Sequence, residues 1–239
     1  MVFDDYFGTQ GGTPTVIFGS SIDQPRPQWK VTHQGFDGSD TLTSSGVNQS
    51  ETFIAGAGQD TVWGKGGADV MYAGAGNDVF YLNADNISKL STPMQNNERL
   101  ARVDGGGGLD TLALDGSSIN VDLTAIANTR LQSIEKINLG GNNKLKLSWQ
   151  DIQNMSAMNL FNDATSGWSG FSSNTIRHHQ LLIDGSATDS VDFLTEGGWV
   201  KEPTTVQLNN GESIQNYNLY TNTNHATQLL VNTSVGTVI

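Results

Sequence analysis

Residues 46–81 read GVNQSETFI AGAGQDTVW GKGGADVMY AGAGNDVFY, four nine-residue units with nothing inserted between them, beginning at Gly46, Ala55, Gly64 and Ala73. The last three stay in phase: their sixth positions are Asp60, Asp69 and Asp78, their fourth Gly58, Gly67 and Gly76, and their eighth Val62, Met71 and Phe80. The pattern is G-G-x-G-x-D-x-U-x, with U a large apolar residue. A single Gly-x-Asp is an ordinary turn, whereas several positions held in phase through successive units mark a repeat architecture.

The spacing has a physical reading. Six glycine-rich residues can take positive backbone angles and turn their carbonyl oxygens inward, because no side chain forbids it. The next three form a short strand whose apolar middle residue faces in while its neighbours face out. Two units then make one coil of a flattened right-handed roll, so residues 18 apart stack, Asp60 over Asp78 and Glu51 over Asp69. Stacked carboxylates and carbonyls give an all-oxygen cage of about six ligands, which suits calcium rather than zinc or copper. Gly56, Gly64 and Gly74 belong to the same ligand-bearing turns as Gly58, Gly67 and Gly76. The first unit departs most, with Glu51 for aspartate and Gln49 for glycine; Lys65 stands at a second-glycine position, and Ala55 and Ala73 replace first glycines.

Two further units lie outside the run. Gly35-Phe36-Asp37-Gly38-Ser39-Asp40-Thr41-Leu42, with Gly38 and Asp40 as candidate ligands, is set off by two extra residues and is placed to open the roll. Asp104-Gly105-Gly106-Gly107-Gly108-Leu109-Asp110-Thr111-Leu112 has the fullest glycine complement; Asp104, Gly106, Gly108 and Asp110 are its candidate ligands, with Asp110 in the sixth place counted from Gly105. Between the run and this unit, Thr92-Pro93-Met94-Gln95 reads as a helix start, with Thr92 as cap, proline in the first turn and Gln95 closing a capping box. Ser148-Trp149-Gln150-Asp151 caps a second short helix that faces Ile152 and Met155 to the core. Residues 183–191 read as strand-turn-strand, in which Asp184 and Asp189 either hold one more cation or form a plain turn.

The 239-residue chain is 36% hydrophobic, with no apolar run of transmembrane length. It carries 24 acidic against 12 basic residues, a formal charge of -12, which argues against nucleic acid or an anionic membrane as partner. Acid at fixed spacing points instead to cations. Cysteine is absent, so neither disulfides nor a thiolate metal site hold the fold. Met1–Asp5 shows no basic segment followed by an apolar core, so no cleavable secretory signal is expected. His178 and His179 are adjacent rather than at helical zinc spacing, and His33 and His225 are remote; none is read as catalytic. Neither H-E-x-x-H nor G-x-S-x-G occurs, Gly167-Trp168-Ser169-Gly170 being a near miss, so no enzyme is expected.

These repeats resemble the calcium-binding nonapeptides of the repeats-in-toxin (RTX) family. Farther on, residues 121–124 (VDLT), 134–141 (IEKINLGG), 144–152 (KLKLSWQDI), 181–185 (LLIDG) and 228–233 (QLLVNT) extend the likeness. Residues 35–239 taken together resemble the C-terminal end of giant biofilm adhesins of the LapA type, a group that includes a marine ice-binding adhesin. The resemblance implies export C-terminus first and unfolded through a type I channel, directed by an uncleaved signal near the C-terminus, then folding by external calcium. It implies as partners the type I secretion machinery and the rest of the adhesin chain on the N-terminal side, with a monomeric module at the bacterial cell surface. That no lysine or arginine follows Lys201 agrees with such a signal.

The expected architecture is all-β: a parallel β-roll holding several Ca2+ ions, extended by further β structure with one or two short helices. Residues 1–34 would form an aromatic β cap, 35–116 the roll with a helical insertion near 92–102, and 117–239 a C-terminal β region containing the export signal. The alternatives are an accessory domain of a secreted enzyme, or an adhesive domain for a ligand or for ice. Ligand binding has only the aromatic residues Phe3, Tyr6, Phe7, Phe18 and Trp29 in its favour. For ice, one outward position must repeat, and the third (Ala57, Gly66, Ala75) and fifth (Gln59, Ala68, Asn77) positions form no such file.

Overall fold

A computed structural model describes residues 30–93, 100–161, 177–193, 198–209 and 213–238. The first coils run β1 (His33–Gln34), β2 (Thr41–Thr43), β3 (Thr52–Ala57), β4 (Thr61–Trp63), β5 (Val70–Ala75), β6 (Val79–Leu82), helix α1 (Ala84–Ser91), β7 (Arg102–Gly107) and β8 (Thr111–Leu114). The strands are short because a glycine turn interrupts each unit. Odd-numbered strands stack in parallel as one sheet, in the register Phe53, Met71, Val103, and even-numbered strands as a second, in the register Val62, Phe80, Leu112. All six of these side chains point between the sheets and are at most 2% exposed. Each contributes about 1.5–3 kcal/mol on burial, so the apolar eighth position supplies the core as the repeat predicts.

Beyond β8 the coil gains a third side. The chain continues through β9 (Asn120–Asp122), β10 (Leu131–Gln132), β11 (Lys136–Asn138), β12 (Lys144–Leu147), α2 (Trp149–Met155), β13 (His179–Asp184), β14 (Ser190–Phe193), β15 (Trp199–Lys201), β16 (Val206–Asn209), β17 (Ile214–Asn222), β18 (Thr227–Asn232) and β19 (Gly236–Val238). Strand β10 joins β7, while β11, β13 and β18 extend the sheet of β8. Strands β9, β12, β14 and β19 form a separate four-stranded parallel sheet. At the far end β17 runs antiparallel to β15, β16 and β18. The ten-stranded sheet and one continuous apolar core pass residue 116 without a break, so the division expected there falls inside a single sheet.

A helix that the sequence reading did not place opens the insertion. Helix α1 starts after Asn83, whose side chain accepts the Asp85 and Asn86 N–H groups, and it ends at Thr92, whose N–H donates to the Lys89 carbonyl. Thr92 is therefore the C-cap of α1. Its extended backbone (φ -75°, ψ 124°) is what a following proline enforces, so α1 stops ahead of Pro93. The helix start read from Thr92 onward runs into residues 94–99, which lie outside the described residues, as does the expected aromatic cap apart from residues 30–34. Helix α2 agrees with its reading: Ser148 Oγ accepts the Asp151 N–H, the Asp151 carboxylate accepts the Ser148 N–H at 2.8 Å, and Ile152 and Met155 are buried.

Candidate metal centre

Where the five-stranded sheet passes to the ten-stranded one, turns 35–40, 55–60, 73–78 and 105–110 stack in a file. Each sixth-position aspartate sits over the next. The N–H of Asp40 donates to Asp60 Oδ1 (2.7 Å), that of Asp60 to Asp78 Oδ1 (2.7 Å), that of Asp78 to Asp110 Oδ1 (2.9 Å) and that of Asp110 to Glu135 Oε2 (2.9 Å). The second carboxylate oxygen, Oδ2, of Asp60, Asp78 and Asp110 is buried and accepts no hydrogen bond. These residues are 1%, 0% and 0% exposed, and among the described residues no ion pair reaches them. An ionised oxygen buried without a partner is costly. Burial, together with the charges of Glu135 and Asp78, pushes the Asp110 carboxyl up to about 8. Burial lifts Glu135 to about 7, and burial with the Asp60 charge raises Asp78.

The backbone completes an oxygen lining. Gly58, Gly76 and Gly108 hold φ of +141°, +135° and +143°, and a Cβ on them would lie 2.3, 1.5 and 1.9 Å from the carbonyl oxygens of Gly38, Gly58 and Gly76. Gly56, Gly74 and Gly106 stack in the same way on the carbonyls of Phe36, Gly56 and Gly74. Among the described residues no three His, Asp or Glu side chains converge as a metal site, so carbonyl oxygens must supply most ligands. Carbonyls plus partnerless carboxylate oxygens form a hard, all-oxygen donor set, which fits calcium.

The opposite edge is wired differently. Glu51 N–H donates to Asp69 Oδ1 (2.8 Å), as stacking predicts. Asp69 Oδ2, however, accepts from Asn86 Nδ2 (2.9 Å), and the same amide donates to the Gly67 carbonyl (3.2 Å). The Gly67 N–H donates to Asp85 Oδ2 (2.7 Å), and Gly64 backs onto Met71 and Asn86. Burial works to raise Glu51, but hydrogen bonds from Ser44, Ser45 and His33 hold its carboxyl below the usual range. On this edge protein donors meet the carboxylates that the repeat marks as ligands.

Three other candidate ligands stand away from the file. Asp104 lies on β7 opposite Tyr72 and pairs with Arg102 Nη2 at 2.9 Å. Asp104 thus stands ahead of the last unit, which runs from Gly105 and has Asp110 in its sixth place. Asp184 binds Lys136 Nζ (2.6 Å) and accepts the Tyr217 hydroxyl (2.7 Å). Asp189 accepts Asn143 N–H (2.7 Å) on Oδ1 and Ser186 N–H (2.7 Å) on Oδ2. Both aspartates of 184–189 are thus engaged by protein donors, as in a plain turn. Glu135, which ends the ladder, escaped the sequence reading because no glycine-rich unit precedes it.

A parallel β-roll with one oxygen-lined edge defines a calcium-binding repeat module. Residues 45–80 match the RTX calcium-binding nonapeptide repeat in four copies. RTX nonapeptide repeats bind calcium, and the chain carries such a module. The structure extends its file past the matched copies, to Asp40 on one side and to Asp110 and Glu135 on the other. No curated protein matches the chain, and no solved structure does.

Proposed function

We propose that this chain is the calcium-folded export module at the C-terminal end of a large secreted RTX adhesin of the LapA type. The observation that carries this reading is the row of buried, partnerless oxygens on Asp60, Asp78 and Asp110. An edge whose charges are balanced only by cations keeps the chain unfolded where calcium is scarce. Extracellular calcium modules typically bind at about 10⁻⁴ to 10⁻³ M, so folding awaits the outside of the cell. The tail supports the same order of events: every residue of β18 is buried, and the strand is held between β13 and β17. Secretion machinery can grip that segment only in an unfolded chain. No described helix is long and apolar enough to cross a membrane.

In this role the partners are the type I secretion machinery and the rest of the adhesin on the N-terminal side, and the module acts as an extracellular monomer without catalysis. Deleting residues 214–238 from a reporter fusion is expected to abolish its export by a type I system. A fusion exported equally well without them would contradict the proposal.

A further inference from the structure

A third turn file runs where the ten-stranded sheet passes to the four-stranded one, through residues 116–119, 139–143 and 185–189. It repeats the aspartate ladder of the calcium edge. The Ile119 N–H donates to Asn143 Oδ1 (2.7 Å), and the Asn143 N–H donates to Asp189 Oδ1 (2.7 Å). Asn143, fully buried, thus stands where the first file has Asp60, Asp78 or Asp110. Its second polar atom is a nitrogen rather than an oxygen. Asn143 Nδ2 donates to the Gly116 carbonyl (2.9 Å) and to the Leu139 carbonyl, so the turn carbonyls of this file meet N–H groups.

The second file ends in the same device. Asn86 Nδ2 lies between Asp69 Oδ2 and the Gly67 carbonyl, a carboxylate and a turn carbonyl that the repeat would otherwise offer to a metal. A primary amide presents two N–H donors in one plane, enough to satisfy two oxygens without bringing a charge.

We propose that Asn86 and Asn143 each place a side-chain amide where the first file takes a cation, confining calcium to the Asp60–Asp78–Asp110 edge and leaving the other two files free of ions. The proposal rests on the calcium reading above, and one experiment separates the two. Calcium bound per folded chain is measured by equilibrium dialysis and atomic absorption for wild type, D69N, N86D and N143D. Wild type is expected to bind three ions, one for each partnerless oxygen, and D69N to bind the same number. N86D and N143D are each expected to bind one ion more than wild type, because aspartate turns an oxygen, in place of a donor nitrogen, toward the waiting carbonyls.

A wild-type chain that binds no calcium sinks both readings. Wild type that binds calcium but loses an ion in D69N overturns this inference alone, as do N86D and N143D chains that fold yet gain none. Where either asparagine variant fails to fold in saturating calcium, the wild-type and D69N counts decide.

Discussion

Replacing Asp78 by asparagine removes one oxygen and one charge from the middle of the file but leaves the ladder standing. The new Oδ1 still accepts the Asp60 N–H, which now reaches Asp78 Oδ1 at 2.7 Å, and Nδ2 takes the place of the buried Oδ2. In saturating calcium the variant weakens one site. A site held at about 100 times its dissociation constant contributes roughly 2.7 kcal/mol. At about 2–4 °C per kcal/mol for a chain of this length, that lowers the melting temperature by about 5–11 °C. Without calcium the sign reverses. Wild type then buries a partnerless carboxylate oxygen between two other carboxylates, at a cost of about 1–3 kcal/mol, and the amide relieves it. Thermal melting followed by circular dichroism reads the first effect. The second is read in chelator as the amount of excluded osmolyte, such as sucrose, that each chain needs to fold, and D78N is expected to need less. A variant less stable than wild type under both conditions, or unchanged under both, refutes the assignment of Asp78 Oδ2 to a cation.

Two further outcomes are expected. G76A should lose more than about 1 kcal/mol, as alanine does at positive φ, with added overpacking because its Cβ would sit 1.5 Å from the Gly58 carbonyl; G107A, with no atom within 4 Å of its Cβ, should melt close to wild type. In chelator the fold should also weaken as pH rises. Asp78, Asp110 and Glu135 titrate above their ordinary range in the folded chain, the latter two at about 8 and 7, so the folded state holds protons that the unfolded state has released. The stability they contribute is complete below the usual carboxylate range and is lost as pH climbs through 7 to 8. Urea midpoints of the metal-free, osmolyte-folded chain at pH 5 and pH 8 test this, and a higher midpoint at pH 8 would contradict it.

The nine-residue period made the roll legible because one repeat encodes both the glycine turn and the inward apolar residue. Register alone then stacked Asp60 on Asp78 and Glu51 on Asp69. Which edge binds ions was not legible, since that depends on partners brought in by folding. Asn86 reaches Asp69 from a helix in the insertion, and Glu135 meets Asp110 after a whole further coil. Lys136 and Tyr217 similarly claim Asp184 from other strands. Helix α1 escaped the sequence reading for a local cause: Asn83 and Asn86 form a capping box without the usual Ser or Glu.

Far-ultraviolet circular dichroism of the purified chain, titrated with calcium from a chelated start and then with magnesium, tests the central claim most directly. A cooperative transition from coil to β structure driven by calcium and not by magnesium is predicted. A chain already folded in chelator and unmoved by calcium would contradict folding gated by the Asp60–Asp78–Asp110 edge.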